Sequence, residues 1–313
     1  MEHLDEATVA ALLDPAEMTD ILDRVFTELG RGEAASTVRV RAQAGGGMAS
    51  AMAAVIPSMG VSGGKVYATK AGRFTFHVVL FDLDGRLLCS MDGGALTQVR
   101  TPALCAVAIR RFASPSARTA ALLGTGVEAV PHLEMLAREL PLEDLRVWGR
   151  SAERAQGVVD HGVARGMPVR RVDRSDEAVA GAEVIVAVTS ANQPIFEASA
   201  VRDDALVCAV GATKPERCEL PPELFARAGA VVVDSLEGSR SECGDLLHAV
   251  AEGCISWDAM ADLADVLGGS ERWSRPDGDG PIIFETQGVA IQDVAGAASV
   301  WFRHRGGGVR RQR

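Results

Sequence analysis

The chain has 313 residues, 47% hydrophobic and 24% charged, with a formal net charge of −10 at pH 7. That length can bury a sizeable core and predicts about two domains, and the acidic balance argues against nucleic acid or an anionic membrane as the main partner. The sequence does not open on a basic segment followed by an apolar run, and no apolar run is long enough to cross a bilayer, so a cytoplasmic protein is expected. Residues 4–30 read as helical, with apolar positions at Val9, Leu12, Leu13, Met18, Ile21, Leu22, Val25, Phe26 and Leu29. Short strands are predicted at 37–41, 65–69, 75–81 and 87–91, broken by Gly45-Gly46-Gly47, Gly63-Gly64 and Asp84-Gly85, a mainly antiparallel β-rich region. A helix at 97–112 then leads through the linker Ser114-Pro115-Ser116 to an apolar strand at 118–123.

From there to about 285, strands at 145–148, 169–172, 183–188, 205–210 and 230–234 alternate with helices near 131–140, 152–165, 175–180 and 241–250. That alternation predicts an α/β fold with a Rossmann-type doubly wound parallel sheet. The last helical stretch, 288–303, either finishes that layer or folds back on the N-terminal region, and the second is the expectation. The domains expected are therefore 115–286 for a dinucleotide and 1–114 plus 287–313 as an α+β substrate-binding and dimerisation domain. The basic end at 303–313 reads as solvated, and loops at 45–62 and 268–280 are expected to wall the pocket. Six cysteines without a C-x-x-C or metal-like spacing predict reduced, mostly buried thiols and no metal site.

The strand Ala120-Ala121-Leu122-Leu123 runs into Gly124-Thr125-Gly126-Val127-Glu128-Ala129, a G-x-G-x-x-A turn opening a helix. Gly124 permits the tight turn, Gly126 lets a pyrophosphate reach the backbone, and Ala129 lets helix and strand pack closely. An ordinary strand-to-helix turn is the competing reading. The next strand, Leu145-Arg146-Val147-Trp148, ends where a second Rossmann strand should, and weighs against it. An NAD site usually places an acid there for the ribose 2′-OH. Here Arg150, Ser151 and Arg154 follow instead, which favours NADP(H) over NAD(H), unless these arginines are only a solvated helix start. In the β-rich region Arg39, Arg41, Lys65 and Arg100 could clamp a carboxylate or could simply be exposed charges.

Five segments carry a resemblance. They are Gly63-Gly64-Lys65-Val66; Met91-Asp92-Gly93 with Leu96-Thr97 and Arg100-Thr101-Pro102-Ala103; the phosphate turn; Ala209-Val210-Gly211-Ala212-Thr213-Lys214-Pro215-Glu216-Arg217-Cys218-Glu219-Leu220; and Val233-Asp234-Ser235 with Ser241-Glu242-Cys243-Gly244-Asp245-Leu246. Together they make the chain resemble the ornithine cyclodeaminase/mu-crystallin family, in its mu-crystallin or ketimine reductase branch, over nearly the whole length. The resemblance implies that Lys65 and Arg100 hold a substrate carboxylate beside the nicotinamide, with Arg39 as the early arginine and Arg41 as its alternative. It further implies Thr125, Gly126, Val127 and Glu128 at the phosphates, Arg150 and Ser151 at the adenosine ribose, Thr189 and Ser190 at the nicotinamide ribose, and Gly288 near the ring. A homodimer built through the N-terminal β-region is implied as well.

Cyclodeaminases of this family place an aspartate where this chain has Thr213, and a threonine hydroxyl cannot be that base at neutral pH. The resemblance therefore implies hydride delivery from NAD(P)H to the C=N bond of a cyclic ketimine or imino acid, with Lys65 as proton donor or as carboxylate anchor only. Asp245 is expected either to orient a cation or the amine, or to serve as a helix N-terminal charge. An amino-acid dehydrogenase or N-alkyl amino-acid synthase would use the same anchors, a cyclodeaminase is opposed by Thr213, and a ligand-binding non-enzyme is opposed by retention of Lys65, Arg100 and the turn.

Overall fold

The computed structural model describes residues 2–70, 73–269 and 280–307, and the expected loop at 268–280 and basic end at 303–313 lie largely outside them. In chain order the elements are β1 (Glu2–Leu4), α1 (Glu6–Leu12), α2 (Pro15–Gly30), β2 (Ala35–Ser36), β3 (Val40–Ala44), β4 (Gly47–Ile56), β5 (Val61–Lys70), β6 (Arg73–Asp82), β7 (Leu87–Asp92) and α3 (Gly94–Phe112). They continue with β8 (Thr119–Leu123), α4 (Ala129–Glu139), β9 (Asp144–Trp148), α5 (Ala152–Val163), β10 (Val169–Arg171), α6 (Ser175–Val179), β11 (Val184–Ala187), β12 (Leu206–Ala209) and α7 (Pro222–Ala226). The last are β13 (Ala230–Val233), α8 (Leu236–Glu242), α9 (Gly244–Ala251), β14 (Met260–Asp262), α10 (Leu263–Gly268), β15 (Ile282–Glu285) and α11 (Ala290–His304). Two compact units result. One runs to Leu104 and resumes from Ala264 and from Gly288, and the other runs Cys105–Leu263 and closes with the segment ending at Gln287.

The first unit is built on a sheet in the order β1-β7-β6-β5-β4-β2, with β3 also paired to β4. Its pairings are antiparallel except β1 with β7, as the mainly antiparallel expectation had it. The helical stretch expected over 4–30 is two helices, α1 and α2, with Leu4 as the end of β1. Asp14 accepts hydrogen bonds from the Ala16 and Glu17 amides with Pro15 just behind it, a start signal that also forbids helix through this point. Of the strand expected at 37–41 only Val40 and Arg41 are strand, in β3; β2 ends at Ser36, where the Thr37 hydroxyl accepts the Ala53 N–H in place of a regular ladder bond.

Part of the expected pocket-wall loop at 45–62 is the ten-residue strand β4. Its Gly, Ala and Met residues have weak strand preference, yet it pairs on both sides and buries Ser50, Met52, Ala54 and Ile56 in alternation. Gly45 and Gly46 close the β3–β4 hairpin at φ 57° and 75°, the left-handed pair that a two-residue turn needs. Gly63 and Gly64 do not break a strand but lie inside β5, where a Cβ would come 2.4 Å from the Val79 carbonyl oxygen and 2.9 Å from that of Met52. Helix α11 lies over the inner face, every residue of Ala290–Val300 is buried, and a Cβ on Gly296 would fall 2.5 Å from Leu96 Cδ1. The last helix thus folds back as expected.

The second unit holds an all-parallel sheet in the order β10-β9-β8-β11-β12-β15-β13-β14. Strands β11, β12 and β15 are buried along their whole length, the pattern of strands covered by helices on both faces. On one face Ala121, Leu123, Ile185, Ala187, Val207, Ala209 and Ile283 pack against Phe196, Leu220, Leu224, Phe225 and Leu246. The chain order reverses between β9 and β11 on either side of β8, so the ligand crevice of a doubly wound fold lies outside the carboxyl ends of β8 and β11. Sequence reasoning missed β14 and β15, and the helix expected at 241–250 is divided at Cys243 into α8 and α9.

Candidate active site

At the carboxyl end of β8, Gly124 adopts φ 128° and donates its N–H to the Trp148 carbonyl at 2.9 Å. A Cβ there would lie 2.4 Å from the Val188 carbonyl oxygen, so only glycine lets the ends of β8, β9 and β11 converge. Thr125 packs against Gly149, whose Cβ would come 2.4 Å from Thr125 Cγ2, bringing Thr125 beside Arg150 and Ser151. Gly126 is exposed, and a Cβ on it would meet nothing within 4 Å; Val127 beside it is 76% exposed. An open backbone edge at the start of α4, with Glu128 just before the helix, fits a pyrophosphate. Gly126→Val is accordingly expected to leave thermal unfolding unchanged while raising the Kd for a nicotinamide dinucleotide by at least about tenfold, or about 1.4 kcal/mol, in a fluorescence titration.

Arg150 and Arg154 are exposed, and the strand end that precedes them carries no acid. Ser151 caps α5, its Oγ accepting the Arg154 N–H at 3.2 Å. Thr189 and Ser190 follow β11, with Ser190 exposed. The Thr189 N–H is donated to Glu219, a buried residue that sequence reasoning quoted in a motif but gave no role. Glu219 also accepts the Gly211 N–H at 2.6 Å and so ties together the segments leaving β11 and β12. Burial first, then the nearby Asp245 charge, pushes the Glu219 carboxyl up to about 7 against those two amide donors. Asp245, in the first turn of α9, accepts the Glu219 and Leu220 amides at 2.6 and 3.1 Å and so fixes the backbone there. Below the turn, buried His132 Nδ1 lies 2.7 Å from the Glu128 carbonyl oxygen, a support that a lone histidine on a helix face did not announce.

In the first unit the register places Lys65 opposite Met52 and Val78, which sends its side chain to the covered face of the sheet. Lys65 is 1% exposed, and its Nζ donates to Thr97 Oγ1 at 2.8 Å and to Asp293 Oδ1 at 2.9 Å, 4.3 Å from the centre of the Phe76 ring. Arg100, 6% exposed on α3, donates to Gln292 Oε1 at 2.7 Å and lies 3.5 Å from Asp293 Oδ1 through Nε. Arg39 donates to the Gly288 carbonyl at 2.9 Å and stands over Tyr67. Gly288 sits at φ 83°, a left-handed conformation that favours glycine, and a Cβ on it would lie 3.0 Å from Arg100 Nη1. Lys65, Arg100, Arg39 and Gly288 thus gather around the start of α11, whereas Arg41 is exposed on β3.

Sequence reasoning missed Asp293 and Gln292. Asp293 is fully buried, and Lys65 first, then Arg100 and Arg39, hold its carboxyl below the usual range against the opposing effect of burial. The Lys65 ammonium is lowered to about 8, chiefly by burial, with Arg100 and Arg39 adding to the fall and Asp293 opposing it. Among these four groups three cations face one carboxylate, and Lys65 has used two of its three N–H donors. Such a cluster can accept a further anion.

The six cysteines are free, five of them buried. Among the described residues no helix is long and apolar enough to cross a membrane. The chain is 34% identical to the ketimine reductase mu-crystallin of Mus musculus over 225 residues, 72% of this chain and 68% of that protein. It is 32% identical over 305 residues to a Delta(1)-pyrroline-2-carboxylate/Delta(1)-piperideine-2-carboxylate reductase of Azospirillum brasilense, covering 93% and 92% of the two chains. The crystal structure of the iminosuccinate reductase of Paracoccus denitrificans in complex with NAD+ superposes with a TM-score of 0.90 at 28% identity, covering 98% of this chain and 97% of that one. The sequence profile of the ornithine cyclodeaminase/mu-crystallin family matches residues 4–308, and the chain belongs to that family.

Proposed function

We propose that the chain is an NAD(P)H-dependent reductase that delivers hydride to the C=N bond of a cyclic ketimine or imino acid bearing an α-carboxylate. The observation that carries this reading is the set of buried Lys65 and Arg100 with half-buried Arg39 around the carboxylate of Asp293, three cations facing one acid. The relatives reported above support it, one named as a ketimine reductase and the other as a reductase of pyrroline- and piperideine-carboxylates. When bound, the dinucleotide supplies the hydride. Gly124 to Glu128, Thr189 and Ser190 would hold it, with Arg150, Ser151 and Arg154 at the adenosine ribose.

Arg100, with Arg39, grips the acid through planar N–H donors that fix the plane of its carboxylate. Transfer requires the imine carbon within about 3–3.5 Å of the nicotinamide C4. The C=N carbon gains the hydride and the nitrogen gains a proton, which Lys65, charged below about 8, is built to hold close by. Residues 115–286 would serve the dinucleotide, and 1–114 with 287–313 the acid and a homodimer contact. Val40, Val55 and Val66, 62%, 41% and 52% exposed on the outer face of the first sheet, form an apolar surface suited to a second copy. Free thiols suit a reducing, cytoplasmic setting.

The test is NADPH oxidation against a panel of cyclic and open-chain imino acids, with ammonia release from ornithine followed in parallel. Oxidation with the cyclic acids and no ammonia is expected; ammonia release without NADPH consumption overturns the reading. We further propose a preference for NADPH, and Arg150→Asp should move the NADPH-to-NADH ratio of kcat/KM towards NADH by about 10–100-fold, the value of one charge-assisted hydrogen bond. An unchanged ratio removes Arg150 from the ribose site.

A further inference from the structure

We propose that His3, His77 and Asp92 form a divalent-cation site, suited to Zn2+, on the outer face of the first sheet, remote in function from imine reduction. The three residues come from adjacent strands. His77 on β6 is the direct cross-strand partner of Asp92 on β7, and His3 on β1 pairs with Ser90, two residues before Asp92 on the same face. The ligand atoms of the three side chains all lie within 4.8 Å of one another. His3 Nε2 and His77 Nδ1 stand 3.4 and 3.3 Å from Asp92 Oδ1.

Those separations are long for a charge-assisted N–H···O bond, which runs about 2.7–2.9 Å. They match the edge of a tetrahedron around zinc: with metal–ligand distances of about 2.0–2.1 Å, neighbouring donors lie about 3.3 Å apart. The outer contacts are those that ligands of a metal use. His3 Nδ1 lies 2.9 Å from Ser90 Oγ, to which it would donate when Nε2 binds a metal, and Asp92 Oδ2 accepts the Glu6 N–H at 3.1 Å, which leaves Oδ1 inward. Two imidazoles and a carboxylate are a donor set for a borderline cation such as zinc, with a water completing four-coordination. Bound there, the ion would pin the three-residue strand β1 to β6 and β7, at the sheet edge opposite β2.

The experiment is a Co2+ titration of untagged protein, read by the visible absorption of tetrahedral cobalt, with Zn2+ competition and thermal unfolding as second readouts. One Co2+ per chain is expected, displaced by Zn2+, with Zn2+ raising the melting temperature. His77→Ala, at a half-exposed position on the sheet face opposite to Lys65, should abolish the bands and the thermal shift while imine reduction continues. Ser90→Ala should weaken binding by roughly 10–100-fold. Absence of tetrahedral bands in the wild type, or identical isotherms for wild type and His77→Ala, overturns the proposal.

Discussion

Lys65→Ala is expected to lower kcat/KM for the imino acid by roughly 10²–10⁴-fold, the usual contribution of a positioned proton-transfer group, while the Kd for NADPH stays unchanged. The side chain lies in the first unit, away in sequence and in hydrogen bonding from the phosphate turn, so dinucleotide binding has no reason to respond. The pH dependence follows from the same geometry. Lys65 is a cation below about 8 and neutral above it, and both carboxylate binding and proton donation need the cation. Wild-type kcat/KM should therefore fall as pH rises through about 8. Because kcat/KM reports the free enzyme, the fall in kcat should come at higher pH, since a bound substrate carboxylate favours the charged amine. Lys65→Arg keeps the charge and should erase the falling limb. Full activity of the alanine variant would remove Lys65 from the reaction.

The second large effect concerns stability. Asp293→Ala should destabilise the protein by about 3–5 kcal/mol in urea unfolding, the cost of leaving buried cations without their counter-charge. Lys65 and Arg100, 1% and 6% exposed, cannot turn to water for compensation. Asp293→Asn, which keeps the shape, should be milder in stability. It should still move the falling limb of kcat/KM to lower pH, because Asp293 is the charge that holds the Lys65 ammonium up against burial. A variant as stable as the wild type with an unmoved pH profile would show that Asp293 neither balances nor tunes the cluster.

The phosphate turn was legible because its signals are local: an apolar strand, glycines at fixed offsets and a helix start. The long alternation of elements was enough to read the parallel sheet. Lys65 and Arg100 could be named through resemblance, but Asp293 and Gln292 could not be placed by spacing, since an acid in a first helical turn looks like an ordinary dipole charge. The available signal was a polar pair interrupting Ala290–Val300, a stretch otherwise small or apolar except for Ser299. Strand β4 was hidden by residues that favour strands weakly, and Gly63-Gly64 resembled a break although close strand approach is what demands them. Strand β15 is four residues long and preceded by a polar segment, so neither periodicity nor length marked it.

That short strand has a consequence for how the chain is made. Ile282–Glu285 slots between β12 and β13, which come much earlier in the sequence, and α11 likewise covers a sheet translated long before it. While the ribosome is still at work, β12 and β13 each wait with an open edge and the antiparallel layer waits with a greasy underside, so neither half can mature ahead of the other. Nascent chains halted before Ile282 should need chaperone shelter, and synthesis of β15 and α11 should release both halves together.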